Sequence, residues 1–251
     1  VWGPQWELGL VERKKVRKVL GKKLKQLNDI AADIEELLVG LEIDFYRVCI
    51  FGSARIGPES PFYKQVEDLA EALAKEGVDV VTGGGPGLME AANKGAKKGG
   101  SPHSRSIGLT VHLPFEADSN SHLDVKLQHK RFSSRLDEFM RISHAVIVTP
   151  GGIGTLLELF YTWQLMQVNH IRPRPFILMG HDEMWTTFLD WMRQWPLRLN
   201  LMSDTDFDMI QVRQNVPEVM SFLGPDIEKF RKNLRGMSPP QKDSPGPDGG
   251  A

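Results

Sequence analysis

The chain has 251 residues, enough for one sizeable hydrophobic core with extensions. Its 31 basic and 32 acidic side chains nearly cancel, which removes any global electrostatic argument for a nucleic-acid partner. A single cysteine, Cys49, excludes an intramolecular disulfide, and with no apolar run of membrane-spanning length and no visible secretion signal a cytoplasmic protein without a membrane partner is expected.

Residues 1–44 read as an N-terminal helical extension. Over 11–39 the residues Val16, Val19, Leu20, Leu24, Leu27, Ile30, Ile34 and Leu37 recur at mostly helical spacing. The polar side opens with a basic block from Arg13 to Lys25, which fits a solvated helix face better than a phosphate-binding surface. From Tyr46 the pattern changes to alternating elements. RVCIF reads as a buried strand, and Cys49 within it as a buried structural thiol. A helix over 62–76 follows, then the strand VDVVTG, the helix GLMEAANKGAKKG and the strand RSIGLTVHLP. Residues 124–142 read as a charged helical approach to a fourth strand, HAVIVTP. The helix TLLELFYTWQLMQ, a fifth strand, RPFILMG, and the helical run DEMWTTFLDWMRQW come next. Residues 206–232 read as helical near their end, with Pro217 and Gly224 as interruptions. The Pro- and Gly-rich tail 236–251 reads as disordered. Strand and helix in alternation predict an α/β, Rossmann-like, doubly wound domain over 45–235, with a mostly parallel sheet and helices on both faces.

Two turns carry the chemistry. TGGGPG brings Gly83, Gly84, Gly85 and Gly87 to the start of a helix, and PGGIGT brings Gly151, Gly152, Gly154 and Thr155 to the start of another. Glycine leaves backbone amides uncovered, and a helix N-terminus is electropositive, so an anion such as a phosphate suits either turn. The spacing is neither the dinucleotide fingerprint nor a P-loop. Each turn taken alone also serves as a sharp strand-to-helix corner without a ligand. Both follow strand C-termini, where open α/β sheets bind ligands, and would share a crevice if their strands lie close.

Glu158 stands one turn into the second of these helices. With Leu156, Leu157, Leu159 and Phe160 around it, the stretch reads as largely inward, and an inward carboxylate is usually paired or functional. Arg135 is a candidate partner or phosphate anchor, in competition with Lys130 and Arg131. Glu90 reads equally as a ribose or base contact and as an ordinary helix-start carboxylate, and Ser53 as a ligand contact or a turn serine. Glu116 and Asn120 are candidates to line a base pocket. The seven histidines form no metal-binding pattern, so neither metal nor cofactor is expected.

GGGPGLMEAANKGA and PGGIGTLLE together resemble the LOG (Lonely Guy) family of nucleoside 5'-monophosphate phosphoribohydrolases, once widely mislabelled lysine decarboxylases. The likeness runs from about Val48 to Gly180, and IGLTVHLPFEADSN is similar to the longer bacterial members. The family pattern PGG-x-GT-x-x-E is met by Pro150, Gly151, Gly152, Gly154, Thr155 and Glu158. The resemblance implies that Glu158 and Arg135 are catalytic, the arginine lying fifteen residues before the motif proline. It implies hydrolysis of a nucleoside monophosphate, purine or cytokinin riboside, to free base and ribose 5-phosphate. The glycine turns and Thr155 would hold phosphate and ribose, and a homodimer or larger homo-oligomer is expected. Two positions depart from the pattern: Leu136, where lysine is usual, and Leu157, where an acidic residue is common. They keep a second reading in play, a non-catalytic carrier of a phosphorylated cofactor such as molybdenum cofactor.

Overall fold

A computed structural model describes residues 16–25, 27, 45–111 and 119–237. The chain divides at Asp44/Phe45 into two units, each described by itself. In the first, residues 16–25 and 27 are helical, and Val16, Val19, Leu20, Leu24 and Leu27 lie exposed along them. The remainder of the 11–39 helical reading, Glu116 and most of the tail lie outside the described residues.

The second unit is built on seven parallel strands: β1 (Arg47–Phe51), β2 (Asp79–Thr82), β3 (Ser106–Val111), β4 (Val125–His129), β5 (Ala145–Val148), β6 (Phe176–Met179) and β7 (Gln211–Arg213). Their order is β4-β3-β2-β1-β5-β6-β7. Chain order therefore reverses direction between β1 and β5, and the loops leaving those two strands part to open a crevice at their C-terminal ends.

Six α-helices cover the sheet: α1 (Pro61–Lys75), α2 (Leu88–Gly99), α3 (Phe132–Ile142), α4 (Ile153–Gln167), α5 (Asp182–Met192) and α6 (Val216–Met237). Strand alternation divides the core in two. Val48 and Ile50 of β1 face α1, α2 and α6, whereas Cys49 and Phe51 face α3, α4 and α5. Each buried aliphatic side chain of this size contributes about 1.5–3 kcal/mol of apolar transfer, which explains why the central strands are near-continuous apolar runs. Local signals set the helix ends. Ser60 caps α1 by accepting from the Phe62 amide, and Pro61 stands at the first position, where no amide donor is needed. Helix α2 stops at Gly100, which takes the left-handed conformation. At Gly95 the two helices close up until a β-carbon would lie 2.1 Å from the Glu67 carbonyl oxygen.

Three expectations are corrected. Residues 125–129 form β4, a strand on the sheet edge, and the helix of that region begins only at Phe132. HAVIVTP therefore supplies the fifth strand of the sheet. Residues 211–213 form the short opposite edge, β7. Pro217 and Gly224 do not break α6: Pro217 sits in its first turn, and Gly224 and Pro225 are carried inside it. Beyond α5 the helical path continues as a π-type turn at Arg193–Leu197 holding Pro196. No described helix is long and apolar enough to cross a membrane.

Candidate active site

The loop after β1 joins the two glycine turns. Ser53 N–H donates to the Pro150 carbonyl at 3.1 Å, and the Ser53 carbonyl accepts from Leu88 N–H at 2.9 Å. The packing there leaves no room for side chains. A β-carbon at Gly52 would meet Thr149 Oγ1 at 2.3 Å, and one at Gly87, whose φ is +70°, would meet the Ser53 carbonyl at 2.4 Å. The two glycine turns therefore lie on either side of the loop that follows β1, at the C-terminal ends of parallel strands.

The turns differ in what they offer. In the first, Gly84 N–H is already taken by Thr82 Oγ1 at 2.9 Å, and Leu88 N–H by Ser53. The amides of Gly85 and Gly87 have no acceptor among the described residues. In the second, α4 starts at Ile153 behind Gly152, which has no side chain to cap it, and the amides of Ile153, Gly154 and Thr155 have no acceptor among the described residues. Open space surrounds Gly152 and Gly154, while Gly151 is pressed against the buried Thr155 side chain.

Glu158 and Arg135 meet between the turns. Arg135 Nη2 lies 3.5 Å from Glu158 Oε1, and each side chain is only 13% exposed. Helices α3 and α4 cover the same face of the sheet, and this brings together two residues that the sequence alone leaves unconnected. Arg135 is braced by the rings of Phe132 and Phe139, at 5.2 and 5.7 Å, and its Nε is buried without a hydrogen-bond partner. A β-carbon on Gly83 would lie 3.5 Å from Arg135 Nη1, so the guanidinium spans from the carboxylate to the first glycine turn. Burial pushes the Glu158 carboxyl up to about 7, against the opposing pull of Arg135. That value places the group at the midpoint between acid and base near neutral pH.

The reason for Glu158's burial is also corrected. Its neighbours Leu157 and Phe160 are exposed. Glu158 points inward because it shares a helical face with the buried Thr155 and Thr162. Of the departures from the family pattern, Leu136 is a buried residue and Leu157 a surface one. Ser53 reaches the site through its backbone; its hydroxyl accepts from the Arg55 amide. Glu90 lies in the first turn of α2, where its charge adds to the effect of burial in raising the Tyr63 phenol of α1. The Asn120 amide group donates to the Gly85 carbonyl and to Asn93 Oδ1, both at 2.9 Å. It is thus engaged with the first glycine turn rather than free to read a base. Asn93 itself and Met89, whose Sδ a β-carbon on Gly83 would meet at 2.8 Å, were not marked from sequence. The available signal for Asn93 was a lone amide on the apolar face of α2, between Ala92 and Ala96. No group of three or more metal-ligating side chains occurs among the described residues.

The fold and this site define a doubly wound α/β protein with a largely buried carboxylate–guanidinium pair beside two glycine turns. Residues 89–223 match the protein-family model described as "Possible lysine decarboxylase". The chain belongs to that family, the LOG family of its two glycine motifs. It is 33% identical over 128 residues to the pyrimidine/purine nucleotide 5'-monophosphate nucleosidase of Escherichia coli K12, a match covering 48% of this chain and 28% of that protein. It is 31% identical over 148 residues to a probable cytokinin riboside 5'-monophosphate phosphoribohydrolase of Oryza sativa subsp. japonica, covering 58% of each. The chain thus spans about a quarter of the first relative and under two thirds of the second. Among solved structures, the molybdenum cofactor binding protein of Rippkaea orientalis shares the fold, with a TM-score of 0.54 and 21% identity over 73% of this chain and 98% of that one.

Proposed function

We propose that this protein hydrolyses the N-glycosidic bond of a nucleoside 5'-monophosphate, releasing free base and ribose 5-phosphate. The observation that carries this reading is the buried Glu158–Arg135 pair set between two glycine turns with unpaired amides. The amides at the start of α4 and those of Gly85 and Gly87 suit the phosphate and ribose. As the bond to the base breaks, the bonding electrons leave with the base and positive charge builds on the ribose ring. Ionised Glu158 stabilises that charge and accepts a proton from the water whose oxygen joins the anomeric carbon. The departing base takes up one proton overall, so the products balance. Arg135 holds the carboxylate in place and adds a cation at the first turn.

The test is incubation with purine, pyrimidine and N6-modified nucleoside monophosphates, with chromatography of free base and ribose 5-phosphate. Release from at least one of them is the expected result. Tight binding of monophosphates with no base released would instead identify a carrier; the Rippkaea orientalis protein that shares this fold is a molybdenum cofactor binding protein.

We also propose a homodimer, formed through a surface apart from the Glu158–Arg135 pair. Helices α4 and α5 and the turn after α5 expose Leu157, Phe160, Trp191, Trp195 and Leu201, the last 74% accessible. A cleft of about 430 Å³ lies among them, lined by Leu157, Phe160, Tyr161, Met192 and Pro196. An exposed apolar surface of this kind supports its reading as an association face. Light scattering is expected to give twice the 28.3 kDa chain mass. The double variant Leu157→Asp/Leu201→Asp is expected to give the single-chain mass.

A further inference from the structure

The first glycine turn is held from behind by a buried hydrogen-bond network with Asn93 at its centre. Asn93, Thr82 and Ser106 are all essentially inaccessible. Asn93 Oδ1 accepts from the Thr82 hydroxyl at 2.7 Å and from Asn120 Nδ2 at 2.9 Å. Asn93 Nδ2 donates to Ser106 Oγ at 2.9 Å. Because Thr82 gives its proton to Asn93, its oxygen is left to accept from Gly84 N–H, also at 2.9 Å. Asn120 completes the frame. Its side chain donates to the Gly85 carbonyl and its backbone N–H to the Gly84 carbonyl, both at 2.9 Å. One amide side chain therefore dictates the direction of a hydroxyl proton and, through it, the pairing of Gly84, a residue at φ +71°.

A buried Asn in a helix is costly unless every polar atom is matched, and here each is. An apolar side chain at this position would leave the buried Thr82 hydroxyl, Ser106 and the Asn120 amide without the partner they share. The amide thus serves the network, and the network serves the turn. With Gly84 N–H and both the Gly84 and Gly85 carbonyls engaged from behind, the amides of Gly83, Gly85 and Gly87 are left for a ligand. We infer that Asn93 is a positioning residue for phosphate binding. It acts through Thr82 and Asn120, and it sets which amides of the first glycine turn are presented to the phosphorylated ribose. This inference rests on the phosphoribohydrolase reading for the identity of the ligand, but not for the geometry of the turn.

Two measurements separate these. Hydrogen exchange over residues 83–88 in the free protein reads the turn without any ligand, and calorimetric titration with ribose 5-phosphate reads the binding. Asn93→Ala is expected to speed exchange at Gly84 by about tenfold and to weaken ribose 5-phosphate binding by a similar factor. Thr82→Val keeps the shape of the strand residue and removes only the hydroxyl, so it is expected to do the same where Asn93→Ala folds poorly. Thr82→Ser restores the hydroxyl and is expected to return both readings to near those of the parent protein. Unchanged exchange at Gly84 in folded Asn93→Ala and Thr82→Val would overturn the inference, as would faster exchange with undiminished ribose 5-phosphate binding. Faster exchange in the variants, with no ribose 5-phosphate binding even by the parent protein, would leave Asn93 as the residue that sets the turn and remove phosphorylated ribose as its ligand. That outcome counts against the proposed function and overturns the phosphate-binding half of this inference.

Discussion

Glu158→Gln is expected to lower base release by about a thousandfold or more while nucleoside monophosphate binding survives. Glutamine keeps the size of the side chain and the hydrogen-bonding capacity of one oxygen, but it cannot carry the negative charge that the ribose cation requires. An effect concentrated in kcat, with little change in KM, is the signature of an interaction made only in the transition state. The pH profile supplies a second reading. The carboxyl titrates at about 7 because it is buried, so kcat/KM of the parent protein is expected to rise with pH through neutrality and then level off. The Gln variant is expected to lose that limb along with the rate.

The same substitution carries a stability consequence of the opposite sign. Glu158 has a higher proton affinity in the folded chain than its ordinary value of 4.5. Below that ordinary value it is neutral in both states and neither stabilises nor destabilises. As pH rises towards 7, the unfolded chain releases the proton while the folded one retains it, and stability falls. Above 7 the penalty is fully present and amounts to about 3 kcal/mol at most. Glu158→Gln removes it. Urea denaturation is therefore expected to show the variant more stable than the parent at pH 8, with the difference shrinking towards pH 5. A variant that is inactive and more stable is what a site strained for catalysis predicts. Equal midpoints at both pH values would mean that Glu158 is better solvated than its 13% exposure indicates.

The centre of this fold is legible in the sequence because its strands are buried on both faces. VCIF, AVIV and FILM are unbroken apolar runs, DVVT sets two valines between the buried Asp79 and Thr82, and a glycine follows most of these strands closely. The edges are not legible for the complementary reason. In VKLQH the middle three residues are exposed, no two-residue alternation survives, and Lys, Leu and Gln are good helix formers, so the local pattern argues for a helix that sheet pairing overrides. QVR is too short to show any period. At the site, the glycine turns declare themselves, and Glu158 and Arg135 are reached through family resemblance. Their meeting depends on β1 lying beside β5 and on α3 and α4 sharing a face, which no local spacing encodes. Leu157 and Phe160 mislead as guides to burial, because adjacent residues on a helix point in different directions. The three- and four-residue neighbours Thr155 and Thr162 give the right answer. Asn93 is hidden by its type: an asparagine in a helix reads as surface until Thr82, Ser106 and Asn120 are seen around it.

Arg135→Met is expected to reduce base release by about a hundredfold or more and to move the acid limb of the surviving activity to higher pH by about one unit or more. Among the described residues Arg135 alone opposes the rise of the Glu158 carboxyl, so its loss leaves burial unopposed, and less of the carboxylate is ionised at any pH near neutrality. Methionine can still pack between Phe132 and Phe139, so the thermal midpoint is expected to change little compared with the activity. Arg135→Lys discriminates between charge and shape. A lysine ammonium restores a cation near Glu158 and is expected to bring the acid limb most of the way back. As a point charge, however, it cannot span from Glu158 Oε1 to the Gly83 turn as the guanidinium does. Weak ribose 5-phosphate binding is therefore expected to persist in Arg135→Lys after the pH profile has recovered. An acid limb that stays in place in Arg135→Met would show that Arg135 serves the ligand alone and that burial by itself sets the proton affinity of Glu158.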